Sequence, residues 1–86
     1  MPKISEFYGI KIYINYSDHP EPHIHVNYSG EKAKISIKSG AIMAGSLPRT
    51  AINLVNRWRK FYQKELVEDW NLAMEHKNLK EIEPLR

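Results

Sequence analysis

The chain has 86 residues, 42% of them hydrophobic, and carries a formal net charge of +3 from 13 basic and 10 acidic side chains. That suffices for one modest core and one domain spanning residues 1–86, and with aromatics at 10% it excludes a disordered polyelectrolyte. Zero cysteines exclude disulfide frameworks, thiolate metal sites and cysteine nucleophiles together.

From Phe7 to Tyr16 the apolar residues recur every second position: Tyr8, Ile10, Ile12, Ile14 and Tyr16 share one face, and Lys11, Tyr13 and Asn15 the other. This predicts a half-buried strand. Ser17-Asp18-His19-Pro20-Glu21-Pro22 breaks it with a loop stiffened by two prolines. A second strand is predicted from His23 to Tyr28, with Ile24 and Val26 inward and His23, His25 and Asn27 outward. Ser29-Gly30 supplies a two-residue turn into a third strand, Lys32 to Lys38. That turn sets Tyr28 opposite Glu31, His25 opposite Lys34 and His23 opposite Ser36. A short edge strand, Ala41 to Ala44, is the fourth.

Helix is predicted from Pro48, with Ser46 or Leu47 at the cap position. No glycine or proline follows until after Glu75. Ala51, Leu54, Val55, Trp58, Phe61 and Tyr62 form one apolar stripe; Leu66, Trp70, Ala73 and Met74 form another, rotated around the helix. The shift fits either a kink near Gln63–Glu65 or a straight helix whose far half packs on something else. Leu79, Ile82 and Leu85, in an extended tail over residues 79–86, are one cover for the second stripe; a homodimer partner is the other.

The segment from Asp18 to His25 holds three of the four histidines. Strand geometry points His23 and His25 to one side, about 6–7 Å apart. With His19 and Asp18 they form a candidate catalytic set, one histidine as general base and another as acid, with Lys34 meeting developing negative charge. His23, His25 and Asp18 are alternatively a candidate site for a divalent metal cofactor. The plainer alternative is structural, the histidines and Asp18 organising the loop. His76, at the helix end, reads as a cap.

Between Arg49 and Lys64 there are five positive charges and no acid; between Glu65 and Glu75, four acids and no base. Arg57, Lys60 and Lys64 fall on one helical ridge and, with Lys34 on the sheet, are candidate nucleic-acid contacts, while Lys11, Lys32 and Lys38 of the sheet add positive charge that attracts phosphates non-specifically. A solubilising surface is the bland alternative. Trp58 and Trp70 lie on apolar stripes and read as core rather than as base-stacking platforms.

Taken together, Ile4, Phe7-Tyr8-Gly9-Ile10, Tyr13, Asp18-His19, Pro22-His23-Ile24-His25-Val26, Gly45-Ser46-Leu47-Pro48, Leu54-Val55, Trp58, Glu65-Leu66, Trp70, Ile82 and Pro84-Leu85 resemble the small bacterial family of uncharacterised proteins catalogued as DUF4160. The family brings no established activity. The resemblance implies a toxin–antitoxin-like setting, often beside a short protein of the DUF2442 type, and hence a small partner protein encoded nearby.

These readings predict an α+β fold: a three- or four-stranded antiparallel meander within residues 4–44, packed against one long C-terminal helix, straight or kinked, over residues 48–75. Its core is expected to hold Ile10, Ile12, Ile14, Ile24, Val26, Leu54, Trp58 and Tyr62. The functional expectation is a toxin–antitoxin-type accessory protein that binds RNA or a protein partner, with histidine-dependent phosphodiester chemistry as its catalytic version. The alternatives are a non-catalytic interaction module and a metal-binding protein. No apolar run reaches the roughly 18 residues of a membrane span, and the first residues lack a leader pattern, so the expected setting is cytoplasmic with no membrane partner.

Overall fold

The computed structural model describes residues 2–16 and 21–86. Five strands, β1 (Lys3–Phe7), β2 (Ile10–Tyr13), β3 (His23–Tyr28), β4 (Glu31–Ser36) and β5 (Ile42–Gly45), precede two helices, α1 (Arg49–Phe61) and α2 (Gln63–Met74). The strands form one antiparallel sheet in sequence order.

The α+β class stands, but the three- or four-stranded meander and the single long helix are both corrected. The additional strand comes from a turn concealed inside an alternating pattern. Tyr8 and Gly9 both adopt positive φ, 50° and 77°, the geometry of a tight hairpin turn. Because Phe7 pairs with Ile10 across that turn, apolar alternation continues through it undisturbed. What reads as one strand beginning at Phe7 is therefore the end of β1, a turn and β2. Ser29-Gly30 makes the second such turn, with φ 51° and 85°. It sets the register anticipated for it: Tyr28 faces Glu31, His25 faces Lys34 and His23 faces Ser36.

The helix breaks at one residue, Tyr62, with φ −107° and ψ 31°. This single break accounts for the rotation between the two apolar stripes. Each helix then presents its own stripe to the same core: Ala51, Val55 and Trp58 from α1, and Leu66, Trp70 and Ala73 from α2. Beneath them lie Ile10, Ile12, Ile14, Ile24, Val26, Ile35 and Ile37, all 0% exposed; Leu54 and Tyr62 are only partly buried at its margin. α2 ends with a reversed turn in which His76 takes φ 57° and the Lys77 N–H reaches the Leu72 carbonyl at 2.9 Å. The His76 ring stacks on Tyr16.

Residues 77–86 run back across the molecule without regular structure. Beyond the Lys77 bond, three hydrogen bonds among the described residues fasten them: the Lys80 N–H donates to Asp69 Oδ1 at 2.9 Å, the Ile82 N–H to the Ile4 carbonyl at 2.7 Å, and the Trp58 indole N–H to the Glu83 carbonyl at 2.8 Å. Ile82 is buried, and Leu79 and Leu85 pack partly against the core. The second apolar stripe is thus covered within the chain. Asp69 is buried, with Oδ2 lacking a hydrogen-bond partner among the described residues. Burial pushes its pKa up, and the Lys80 N–H bond offsets only part of that effect.

Arg59 belongs to the basic run of α1, yet only 4% of it is exposed. Its Nη1 donates to the carbonyls of Ile37 and Lys38 at 2.9 and 3.2 Å, and its Nε to Asn56 Oδ1 at 3.1 Å. Burial lowers its pKa, but a guanidinium keeps its charge. Arg59 therefore ties α1 to the turn after β4 and takes no part in the surface charge.

Candidate functional site

The histidine segment comes first, because the sequence singled it out. Asp18 and His19 lie outside the described residues. His23 and His25 have ring centroids 5.0 Å apart, with ring planes at 64°. Their surroundings differ. His23 is 2% exposed, its ring 5.2 Å from that of Trp70 and its Nδ1 2.7 Å from the Glu21 carbonyl oxygen. Glu21 in turn accepts from the Ser36 hydroxyl at 2.7 Å. His25 is half-buried, with Nε2 3.1 Å from Asn15 Nδ2.

Only one histidine of the pair therefore reaches solvent, and each has a ring nitrogen already engaged. Among the described residues no group of three or more His, Cys, Asp or Glu side chains is arranged to hold a metal. The expected histidine cluster is corrected on this ground. The divalent-metal expectation also drew on Asp18, which lies outside the described residues.

The second arrangement is the sheet face that carries His25, open except at its His23 end, where Trp70 of α2 closes over it. Residues paired across adjacent strands project to the same side, so register defines rows whose neighbouring members stand about 5 Å apart. One row reads Tyr13, His25, Lys34, Ala44; the next reads Lys11, Asn27, Lys32. None of these seven side chains is fully buried. Between His25, Asn27, Lys32, Lys34 and Ala44 the surface dips into an open hollow of about 270 Å³. Glu6, opposite Lys11 on β1, is paired with Lys3. This face sets three lysines, an aromatic ring, an imidazole and a carboxamide in one plane.

Lys11, Lys32 and Lys34 were anticipated together as positive charge on the sheet, and strand alternation puts them on one side with His25; Asn27 was not among the site candidates. The turn register was the signal that joins it to them. Arg57, Lys60 and Lys64 are exposed on the helices, across the core from Lys34. The four expected nucleic-acid contacts therefore do not form one surface.

The chain belongs to the DUF4160 family, described as a domain of unknown function, whose model matches residues 9–71. No curated protein and no solved structure matches it. The toxin–antitoxin association drawn from the resemblance finds no support here, since the family is one of unknown function and no characterised relative stands beside it. Among the described residues no helix is long and apolar enough to cross a membrane.

Proposed function

We propose that this DUF4160 domain is a non-catalytic binding module that takes single-stranded RNA on the sheet face left open by its helices. The observation that carries the reading is the two-row array of Tyr13, His25 and Lys34 beside Lys11, Asn27 and Lys32. Lysines meet phosphates, while flat side chains on a sheet offer stacking surfaces to bases that are not already paired. Asn27 adds a carboxamide able to donate and accept towards a base edge. The net charge of +3 favours the approach of a polyanion. Burial of His23 favours binding over acid–base chemistry, because a general acid–base couple needs both groups at the substrate.

The test is fluorescence anisotropy with a short labelled RNA, comparing the wild type with a triple Lys11→Ala, Lys32→Ala, Lys34→Ala variant and with Tyr13→Ala. Three phosphate contacts correspond to a slope of about −2 in log affinity against log salt, from about 0.7 per contact on a single strand. The triple variant should lose that salt dependence, and Tyr13→Ala should weaken binding at every salt concentration. No binding at low salt, or equal binding by the triple variant, defeats the reading.

A further inference from the structure

We infer that the helical side carries a second, independent binding site: a groove that accepts an acidic peptide segment of another protein, anchored by an apolar side chain. Two hollows of about 350 and 340 Å³ lie side by side, with Arg57, Leu85 and Arg86 in the lining of both. Tyr8 lines one end and Phe61 the other. Both aromatics stand open to solvent, 63% and 78% exposed. Leu54 and Tyr62 add apolar wall along the groove.

Tyr8 carries a separate indication. It sits at the first position of the β1–β2 turn with φ 50°, backbone that a bulky side chain adopts at a cost and that glycine, asparagine or aspartate normally fills. A strained backbone beneath a largely exposed aromatic ring gains little for the fold. Such strain is characteristic of positions kept for contact with something else.

Charge complementarity selects the occupant. Arg57 lines both hollows and has no ion-pair or hydrogen-bond partner among the described residues. Arg86 has one exposed side-chain contact among the described residues, to Glu83 at 3.9 Å, and no Asp or Glu side chain lines either hollow. An arginine beside an apolar slot calls for a carboxylate next to an aliphatic or aromatic side chain. Nucleic acid suits it poorly, since a phosphate chain would leave the apolar wall uncovered. The groove lies on the side opposite the lysine rows, so the two sites can be separated by mutation.

The test uses the full chain and two labelled synthetic peptides, one of glutamates around a central leucine–phenylalanine pair, the other with lysines replacing the glutamates. The wild type should bind the acidic peptide in preference. Arg57→Glu should weaken that binding by about tenfold or more and reverse the preference. Phe61→Ala and Tyr8→Asn should each weaken it, whereas the triple lysine variant of the sheet should bind the peptide as the wild type does. Equal affinity for both peptides, or an Arg57→Glu variant that binds unchanged, overturns the inference. Concentration-dependent dimerisation abolished by Phe61→Ala would also overturn it, because the groove would then be filled by a second copy of this chain.

Discussion

Gly40 faces the buried head of Arg59, and replacing it with alanine probes that contact directly. Two costs add. The residue has φ +78°, and an L-residue there loses about 1–2 kcal/mol. The new Cβ would also stand 2.6 Å from Arg59 Nη2 and 2.9 Å from Cζ, against Asn56 Oδ1 as well. Arg59 has little free space to move into, so the guanidinium must give up bonds to the Ile37 and Lys38 carbonyls. A hydrogen bond to a charged group contributes about 1.5–3 kcal/mol, and loss of one of them brings the total to about 3–5 kcal/mol. Gly30→Ala is the internal control. Its φ is +85° but nothing lies within 4 Å of the added carbon, so only the backbone cost of about 1–2 kcal/mol remains. Urea unfolding followed by tryptophan fluorescence measures both. In an Arg59→Met background the Gly40→Ala cost should fall markedly, leaving the backbone cost and the contact with Asn56 Oδ1. Equal losses for the two glycines in the otherwise wild-type chain would refute the role given to Arg59.

Trp58→Ala should cost about 3–5 kcal/mol, because the ring is 0% exposed and packs 5.4 Å from Phe7; a loss below about 1 kcal/mol in the same unfolding assay would contradict its burial. Asp69 has a folded-state pKa raised by burial, so its contribution to stability is full below the unfolded carboxyl value of about 3.9 and is lost as pH rises through the folded value. Asp69→Asn keeps an oxygen for the Lys80 N–H, and its stability relative to wild type should improve between pH 4 and neutrality; a parallel pair of pH profiles would contradict this. Tyr8→Asn should raise stability by about 1 kcal/mol through relief of the turn, measured as a higher urea midpoint, and a loss of similar size would make the ring a structural element.

Alternation and turn chemistry made the middle of the sheet legible, with β3 and its register to β4 following from His23–Tyr28 and Ser29-Gly30. The same logic missed the β1–β2 turn, since two positive-φ residues between Phe7 and Ile10 leave the period of two intact and a tyrosine is an uncommon turn former. The stripe rotation pointed to a helical break close to its true position at Tyr62. Arg59 was not legible: its charge placed it with the surface basic residues, and only three-dimensional proximity supplies the two carbonyls that make its burial tolerable. The histidines illustrate the reverse case. Spacing put His23 and His25 side by side, as they are, but could not foresee that Trp70, nearly fifty residues later, would close over the first of them.

The tail bonds impose an order on synthesis. All five strands neighbour their sequence predecessors, so the sheet can assemble by local closure as soon as Gly45 emerges. The segment that covers Leu66 and Trp70, and whose Ile82 N–H bonds Ile4, follows only near residue 82. At roughly 5–20 residues per second, the twelve residues from Trp70 to Ile82 take about 0.6–2.4 s. For those seconds the nascent chain shows a finished sheet beside an uncovered tryptophan and leucine, the interval in which a chaperone or a neighbouring nascent chain competes for the same surface.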